Sequence, residues 1–303
     1  MKKRRRKFFM GKIGFIGLGI MGRPMAKNLL KAGKPLVVFD VAKAAVDELA
    51  AAGAESAASP AGVTEKADVV IAMVPNSPHV REVVAGKDGI LSVVRKGQIV
   101  VDMSSIAPLV SRELCALLEA KGADMLDAPV SGGQEKAEKG TLAIMVGGKE
   151  EVYNRVKDIL DLMGKSNYVA GIGAGQIAKL VNQTLVAINI AGVAEGMSLA
   201  KKAGVDPEKV FNAIRGGLAG SQCLEDKAPR MFEGRYDPGF RINLHIKDLG
   251  NVQETSRALH LSMPLVAQIM EMMQNLAADG HEALDHGSLG LFYEKLNNIS
   301  LKK

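Results

Sequence analysis

The sequence predicts an α/β domain followed by an all-helical domain. From residue 12 to about residue 171, short apolar segments alternate with helical ones, which is typical of a parallel sheet covered by helices on both faces. Beyond that point the pattern is helical, with breaks at glycine and proline. We therefore expect domains at 10–171 and 172–303, joined by a long helix, with residues 1–9 as a tail.

The elements of the first domain can be placed in order. Strands are expected at 12–16, 35–40, 68–74, 98–102, 124–127, 142–146 and 167–169, and helices at 23–32, 46–52, from about 79 and at 108–121. Each strand is a short apolar run bounded by turn-forming residues. Gly33 and Gly53 directly follow two of the helices. A glycine in that place is a frequent C-terminal cap, since it adopts positive φ at little cost.

The net charge of +6 comes from the tail. Residues 2–7 are six consecutive basic residues, and without them the 39 Lys and Arg fall to 33, which equals the 33 Asp and Glu. Such a run is usually disordered, and we predict a disordered tail and no nucleic-acid partner. A polyanion-binding module that uses this tail is the alternative from another functional class.

Other compositional features restrict the class of protein. Cys115 and Cys223 lie far apart and form neither metal-ligand nor disulfide spacing, and the five histidines show no zinc pattern. We therefore expect a cytoplasmic protein without a metal. No uninterrupted apolar run reaches the roughly 18 residues of a membrane span, so no membrane partner is expected.

A glycine-rich turn follows the first strand. It consists of Gly17, Leu18, Gly19, Ile20, Met21 and Gly22, and Asp40 ends the next strand. A Gly-x-Gly-x-x-Gly turn between strand and helix lets a dinucleotide pyrophosphate approach the backbone, and the acidic residue accepts from ribose hydroxyls. The first domain is therefore predicted to be a Rossmann dinucleotide-binding domain. The carboxylate of Asp40 would repel a 2′-phosphate, so NAD(H) is preferred, while Lys43 leaves NADP(H) open.

Three further strand ends carry polar or glycine residues. They are Val74, Pro75 and Asn76, then Ser104, and then Ser131, Gly132 and Gly133. Ligands in open α/β sheets bind outside the carboxyl ends of the strands, which makes these residues candidates for cofactor and anion binding. Each segment taken alone is better explained as an ordinary loop.

Lys179 lies near the start of a long, mostly apolar helical segment. Burying an ammonium group costs several kcal/mol unless it is paired or loses its proton. A lysine in such a setting can serve as an acid or base near neutral pH. The alternative is a lysine whose stem covers apolar surface while its ammonium group reaches solvent.

Four ordered motifs resemble one family. They are Gly-Phe-Ile-Gly-Leu-Gly-Ile-Met-Gly at 14–22, Asp-Ala-Pro-Val-Ser-Gly-Gly at 127–133, Gly-Gln-Ile-Ala-Lys-Leu-Val-Asn-Gln at 175–183, and Lys247-Asp248. This combination resembles the β-hydroxyacid dehydrogenases, the family of 3-hydroxyisobutyrate dehydrogenase, over residues 10 to about 296. The resemblance implies a Rossmann domain, a long connecting helix and a helical domain, assembled as a homodimer or homotetramer.

The resemblance also implies roles for matching positions. Lys179 corresponds to the catalytic lysine, and Asn182 to a substrate-contacting asparagine. Ser131, Gly132 and Gly133 match the loop that holds the substrate carboxylate. Ser104 and Lys247 match cofactor-contacting positions.

Further segments narrow the expected activity. Residues 76–80, 102–108, 215–221 and 238–248 resemble family members that reduce tartronate semialdehyde to D-glycerate. The predicted substrates are thus a small aldehyde acid and its hydroxyacid. Methylmalonate semialdehyde remains an alternative substrate. It carries a methyl group where tartronate semialdehyde carries a hydroxyl group, and the sequence does not show which of the two the pocket accepts. The 6-phosphogluconate dehydrogenases share the glycine motif but need a longer helical domain.

Overall fold

The computed structural model describes residues 11–302. The tail predicted at residues 1–9 lies outside the described residues. The chain divides into two compact units, Met1–Lys179 and Leu180–Lys303, and the division falls within one helix. The predicted domain boundary near residue 171 lies between the last strand and that helix, and we retain it as a proposal.

Nine strands within the described residues form one sheet in the first unit. They are β1 Ile13–Ile16, β2 Leu36–Phe39, β3 Glu55–Ser56, β4 Val69–Ala72, β5 Ile99–Asp102, β6 Asp124–Asp127, β7 Val130–Ser131, β8 Leu142–Gly148 and β9 Gly164–Ala170. Their order is β3-β2-β1-β4-β5-β6-β8-β7, and β9 pairs with β8. The first six strands in this order are parallel, as the sequence predicts.

The sheet departs from the predicted parallel pairing at one end. β8 runs antiparallel to both β6 and β7. Only the segment 128–141 separates β6 from β8, and in it the chain makes β7 and a short helix and turns back. Apolar runs locate strands but do not encode the direction in which they pair.

Helices of the first unit follow the predicted alternation. They are α1 Gly22–Lys31, α2 Lys43–Ala51, α3 Pro60–Lys66, α4 Ser77–Ala85, α5 Pro108–Ala120, α6 Gly133–Lys139 and α7 Glu150–Leu160. The sequence did not predict α3, α6, α7 or the two-residue strands. The start of α3 does carry a recognisable sequence pattern, a serine followed by a proline. Ser59 caps the helix by accepting from Gly62 N at 3.1 Å, and Pro60 is its first residue.

Alternate residues of the central strands face two different cores. Phe15 and Ile71 belong to one apolar cluster, and Ile16 and Val70 to the other. Side chains alternate across a strand, so the sheet is buried on both faces and its strands are continuously apolar. The α/β class with helices on both faces is thus confirmed.

The second unit is helical, also as predicted. α8 is Ala174–Lys202, and α9 Pro207–Ile214, α10 Gln222–Glu233, α11 Ile242–Ala258, α12 Pro264–Ala278 and α13 Leu289–Asn297 follow. By length and composition alone, α8 could cross a membrane, and 44% of its most apolar window is buried in the protein. Ala187, Ile190 and Ala194 of α8 are fully buried in the core of the second unit, so α8 serves there as a core helix.

Candidate functional site

The three glycines of the glycine-rich turn have different local environments. Gly17 has φ +94°, and a Cβ there would overlap Met73 O. A Cβ at Gly22 would overlap Gly17 O, whereas one at Gly19 would meet no atom within 4 Å. Gly17 and Gly22 therefore build the turn, and Gly19 leaves its backbone open. This open backbone beside the start of α1 fits the approach of a dinucleotide pyrophosphate.

The remaining residues of the turn separate into buried and exposed ones. Leu18 is buried in the core of the first unit, and Met21 is partly buried and packs against that core. Ile20 is exposed. Leu18 N donates to Asp40 Oδ2 at 2.5 Å, and Ala42 N donates to Asp40 Oδ1 at 2.7 Å. Asp40 thus braces the turn. A carboxylate offers about four acceptor positions, so these two bonds leave capacity for ribose hydroxyls.

Ser104 connects two strand ends. It is fully buried, and its Oγ accepts from Val74 N at 3.0 Å. Ser104 N donates in turn to Asp102 Oδ1 at 3.0 Å. The predicted cofactor-contacting residues Ser104 and Val74 are therefore brought together, with Ser104 holding the loop after β4.

The other residues of the loop after β4 lie nearer to solvent. Pro75 is exposed and Asn76 is half-buried. Asn76 Oδ1 caps α4 by accepting from His79 N at 3.3 Å. Its side chain therefore has a structural function in addition to the predicted one.

The predicted carboxylate-binding loop begins on β7. Ser131 is half-buried and pairs with Ala143 of β8. Gly132 has φ +141° and Gly133 has φ +69°. Two successive residues in this region exclude most side chains, which accounts for the glycine pair. The loop leads directly into α6.

Asp127 anchors the start of α8, an assignment that the sequence analysis missed. The carboxylate is fully buried at the end of β6. Gly173 N donates to its Oδ1 at 2.7 Å, and Gln176 N donates to its Oδ2 at 2.7 Å. Burial raises the pKa of Asp127, and the backbone donors oppose this rise. Asp127, which lies 46 residues before Gly173 in the chain, thus caps α8 from the end of β6.

Two glycines allow this close approach of α8 to the sheet. A Cβ at Gly175 would overlap Met145 O, and a Cβ at Gly147 would overlap Asp127 Oδ1. The first turn of α8 therefore lies directly against the strand backbone. The glycine at 175 belongs to a motif identified in the sequence, but the reason for it is visible only in three dimensions.

Gln176 is a second anchor that the sequence analysis missed. It is fully buried, and its Nε2 donates to Ser104 O at 2.8 Å while its Oε1 accepts from Ile106 N at 3.2 Å. Both ends of the amide are bonded to the loop after β5. Gln176 thereby ties α8 to the segment that contains Ser104.

Lys179 follows Gln176 by three residues on α8. Residues three and four apart share a helix face, so the face with Gln176 also carries Lys179. Lys179 is only 5% exposed, which disfavours the alternative in which its ammonium group reaches solvent. The candidate catalytic lysine therefore lies one turn from the anchored start of α8.

In the second unit, Asn182 belongs to a chain of polar contacts. Asn182 Nδ2 donates to Gln183 Oε1 at 2.8 Å, and Gln183 Nε2 donates to Asp248 Oδ2 at 2.6 Å. Lys247 Nζ lies 3.0 Å from Asp248 Oδ1. Asn182 and Lys247 were predicted as substrate and cofactor contacts, and Gln183 and Asp248 connect them.

A buried histidine pair adjoins this chain. His245 Nε2 lies 3.3 Å from Gln183 O, and His245 Nδ1 lies 2.9 Å from His286 Nδ1. Phe240 packs edge-on against both rings. A His245 that donates from Nε2 to the carbonyl accepts at Nδ1 from His286. These residues are distant in sequence, so no spacing pattern marks them.

Metal ligands are not clustered in the described part of the chain. Within residues 11–302, no group of three or more His, Cys, Asp or Glu side chains could hold an ion. The first unit instead contains the glycine-rich turn, a loop with two positive-φ glycines and the buried Lys179. Asn182 lies on the same helix as Lys179.

Comparison with known protein families matches both parts of the chain. A model described as the NAD binding domain of 6-phosphogluconate dehydrogenase matches residues 12–173. A second, described as the NAD-binding domain of NADP-dependent 3-hydroxyisobutyrate dehydrogenase, matches residues 173–291. The chain belongs to the β-hydroxyacid dehydrogenase family.

Individual relatives agree with this assignment. The 2-hydroxy-3-oxopropionate reductase of Escherichia coli (strain K12) is 45% identical over 291 residues, covering 96% of this chain and 99% of that protein. The mitochondrial 3-hydroxyisobutyrate dehydrogenase of Bos taurus is 39% identical over 289 residues, covering 92% of this chain and 86% of that protein. This β-hydroxyacid dehydrogenase is therefore an oxidoreductase with an NAD(P)-binding domain.

A solved structure shows the same fold. It is 3-hydroxyisobutyrate dehydrogenase of Mycobacterium tuberculosis with L-serine, which superposes with a TM-score of 0.86 at 34% identity. The match covers 95% of this chain and 99% of that one. The predicted Rossmann and helical architecture of this β-hydroxyacid dehydrogenase is confirmed.

The glycine turn yields a paired prediction. Gly17→Ala should lower the free energy of unfolding by about 2 kcal/mol or more, because alanine meets both a positive φ and the Met73 carbonyl. Gly19→Ala should change it by less than about 0.5 kcal/mol yet weaken dinucleotide binding, since the added methyl enters the open space. Urea denaturation without cofactor and NADH titration of both variants check this. Equal loss of stability in both would contradict the division of roles.

Proposed function

We propose that this β-hydroxyacid dehydrogenase reversibly reduces tartronate semialdehyde, which is 2-hydroxy-3-oxopropionate, to D-glycerate. The observation that carries the chemistry is the buried Lys179, one helical turn beyond an anchored helix start. The substrate is supported by the 45% identity to the Escherichia coli reductase across nearly all of both chains.

Lys179 is the proposed general acid and base. As the aldehyde is reduced, negative charge develops on its carbonyl oxygen, and the ammonium group donates a proton to that oxygen. In the reverse direction, neutral Lys179 takes the proton from the hydroxyl group. A positioned acid of this kind contributes about 10²- to 10⁴-fold to the rate.

Other residues position the substrate. We assign the carboxylate to Ser131, Gly132 and Gly133, whose left-handed glycines free the backbone from side chains. Asn182 shares the helix face of Lys179 because it lies three residues further on. Fixing both ends of a three-carbon substrate raises the rate because the reacting groups are already oriented.

NAD(H) is the proposed cofactor, and when bound, its nicotinamide supplies the hydride. The turn 17–22, Asp40, the loop 74–76, Ser104 and Lys247 are the proposed contacts. Preference for NAD(H) is supported by the Asp40 carboxylate, which would repel a 2′-phosphate. NADP(H) stays the second choice, since the family model matching the second unit is named for an NADP-dependent enzyme.

A second candidate function is 3-hydroxyisobutyrate dehydrogenase activity. It is supported by the 39% identity to the bovine enzyme and by the superposition on the mycobacterial one. Lys179, the loop 131–133 and the cofactor would have the same roles. The substrates would differ only in the group on the carbon next to the carboxylate, which is a methyl group instead of a hydroxyl group.

The substrate proposal predicts a specificity ratio. Tartronate semialdehyde should exceed methylmalonate semialdehyde in kcat/KM by tenfold or more, which corresponds to about 1.4 kcal/mol of transition-state discrimination. Initial rates with both aldehydes and succinate semialdehyde, each with NADH and NADPH, measure it. Preference for methylmalonate semialdehyde would transfer the assignment to the second candidate. No turnover with any aldehyde would reject both.

The lysine proposal predicts a selective loss. Lys179→Ala should lower kcat by about 10²-fold or more while NADH affinity stays within about threefold of the wild type, because the turn and Asp40 are unchanged. Lys295→Ala is a suitable control, since Lys295 is an exposed lysine paired with Asp279 on the surface. A Lys179→Ala enzyme with wild-type kcat would remove Lys179 from the mechanism.

We further propose that the enzyme is a homo-oligomer assembled through α8. Val181, Leu185 and Leu199 are more than half exposed, and with Ile188, Gly192 and Gly196 they form one stripe along the helix. A groove of about 330 Å³ beside this stripe is lined by uncharged residues, including Gly192 and Gly196. Exposed apolar patches of this kind mark interaction sites, and a second copy of α8 presents the same uncharged stripe.

Charge placed in the stripe should separate the subunits. Leu185→Glu is expected to lower the molecular mass measured by sedimentation equilibrium, because a carboxylate would be buried between copies. Leu296→Glu is the matched control, because Leu296 is equally an exposed leucine but lies on α13. A monomeric wild type, or an unchanged mass for Leu185→Glu, would contradict assembly through this stripe.

A further inference from the structure

We propose that Gln183 and Asp248 are positioning residues that determine which end of the Asn182 amide is presented to the substrate. This inference rests on the proposed function, in which Asn182 contacts the substrate. It assigns the two residues a task that the comparisons do not give them.

Asp248 determines the orientation of Gln183. An ionised carboxylate only accepts hydrogen bonds, so the atom of Gln183 that faces it, 2.6 Å from Oδ2, must be the amide nitrogen. Gln183 is 3% exposed and Asp248 is 2% exposed. A flipped amide would bury oxygen against oxygen in a region of low dielectric, where unmatched polar groups are costly.

Lys247 balances the charge on which this orientation depends. Its Nζ lies 3.0 Å from Asp248 Oδ1, the oxygen that Gln183 does not use. Each oxygen of Asp248 therefore faces a nitrogen, Oδ1 that of the Lys247 ammonium group and Oδ2 that of the Gln183 amide, and both oxygens are placed as acceptors.

Gln183 in turn determines the orientation of Asn182. With its nitrogen directed at Asp248, Gln183 directs Oε1 at Asn182, and the atom 2.8 Å away must be the donor Nδ2. The Asn182 amide therefore has its nitrogen towards Gln183 and its Oδ1 on the opposite side. His245 Nε2, at 3.3 Å from Gln183 O, holds the backbone of α8 at this position.

This polarity has a chemical consequence for the choice of substrate. Oδ1 is an acceptor, and both 2-hydroxy-3-oxopropionate and glycerate carry a hydroxyl at C2 that can donate to it. Methylmalonate semialdehyde carries a methyl group at that carbon and has no hydrogen to donate. Fixing Oδ1 outward therefore favours substrates with a C2 hydroxyl and leaves the reacting oxygen at C3 to Lys179.

The test exchanges the donor and acceptor between the two residues. Gln183→Glu sets two carboxylates against each other, and Asp248→Asn lets either amide end face Gln183. Each single variant should lower kcat/KM for tartronate semialdehyde about tenfold, the equivalent of one hydrogen bond. The loss should lie mainly in KM, and kcat/KM for methylmalonate semialdehyde should fall by less than about threefold.

The double variant Gln183→Glu with Asp248→Asn should recover activity. Asn at 248 donates to the new carboxylate, and the other carboxylate oxygen accepts from Asn182 as Gln183 Oε1 does. kcat/KM for tartronate semialdehyde should return to within about threefold of wild type. Gln274→Glu is the control, because it makes the same substitution at an exposed position of α12.

The outcomes separate this inference from the proposed function. A wild type that turns over neither aldehyde overturns the proposed function and this inference with it. An active wild type whose single variants keep wild-type kcat/KM, or lose equally with both aldehydes, overturns the inference alone. The same holds for a folded double variant that does not recover. If Gln183→Glu fails to fold, Gln183→Met removes both amide ends at similar size and should show the same loss selective for tartronate semialdehyde.

Discussion

The functional arrangement depends on the hydrogen bonds between the buried Asp127 carboxylate and the backbone at the start of α8. Burial disfavours the charged form of the carboxylate and raises its pKa. Backbone N–H groups from the start of α8 oppose that penalty. The N-terminus of α8 also favours the anionic carboxylate, because helix N-termini attract negative charge. The carboxylate and the backbone N–H groups satisfy one another, so the end of β6 and the start of α8 are fixed together.

The polar face of α8 extends this arrangement along the helix. Gln176, Lys179 and Gln183 are spaced by three and four residues, and all three are nearly or fully buried. Gln176 is bonded to the loop after β5, and Gln183 to Asp248 on α11. Buried amides with both ends bonded fix a single geometry. Lys179 therefore lies on α8 between Gln176, whose side chain is hydrogen-bonded within the first unit, and Gln183, whose side chain is hydrogen-bonded within the second.

The glycine turn shows how one motif combines two requirements. Gly17 and Gly22 are needed by the protein itself, since a side chain at either would overlap backbone atoms. Gly19 is open and is needed only by a ligand. Asp40 similarly braces the turn through Leu18 N and keeps acceptor positions for a ribose. Folding and cofactor binding thus place constraints on the same few residues.

Much of this protein could be predicted from local patterns. Strand and helix positions follow from apolar periodicity, and the glycine turn, Asp40, Lys179 and Asn182 could be identified because their motifs are short and contiguous. The roles of these residues in binding and catalysis remain proposals. Three helices and the two-residue strands were not predicted. The pairing direction was not predicted either, since β8 reverses without a signal in its own residues.

Only the tertiary structure revealed the partners of those residues. The bond from Asp127 to Gln176 spans 49 positions and that from Gln183 to Asp248 spans 65. Such bonds form between side chains and backbone groups brought together by packing, and neither composition nor spacing encodes them. The sequence by itself determined which chemical groups the protein contains and which elements carry them. The tertiary structure decided which groups meet, because most buried polar atoms are stable only where the fold brings a partner to them.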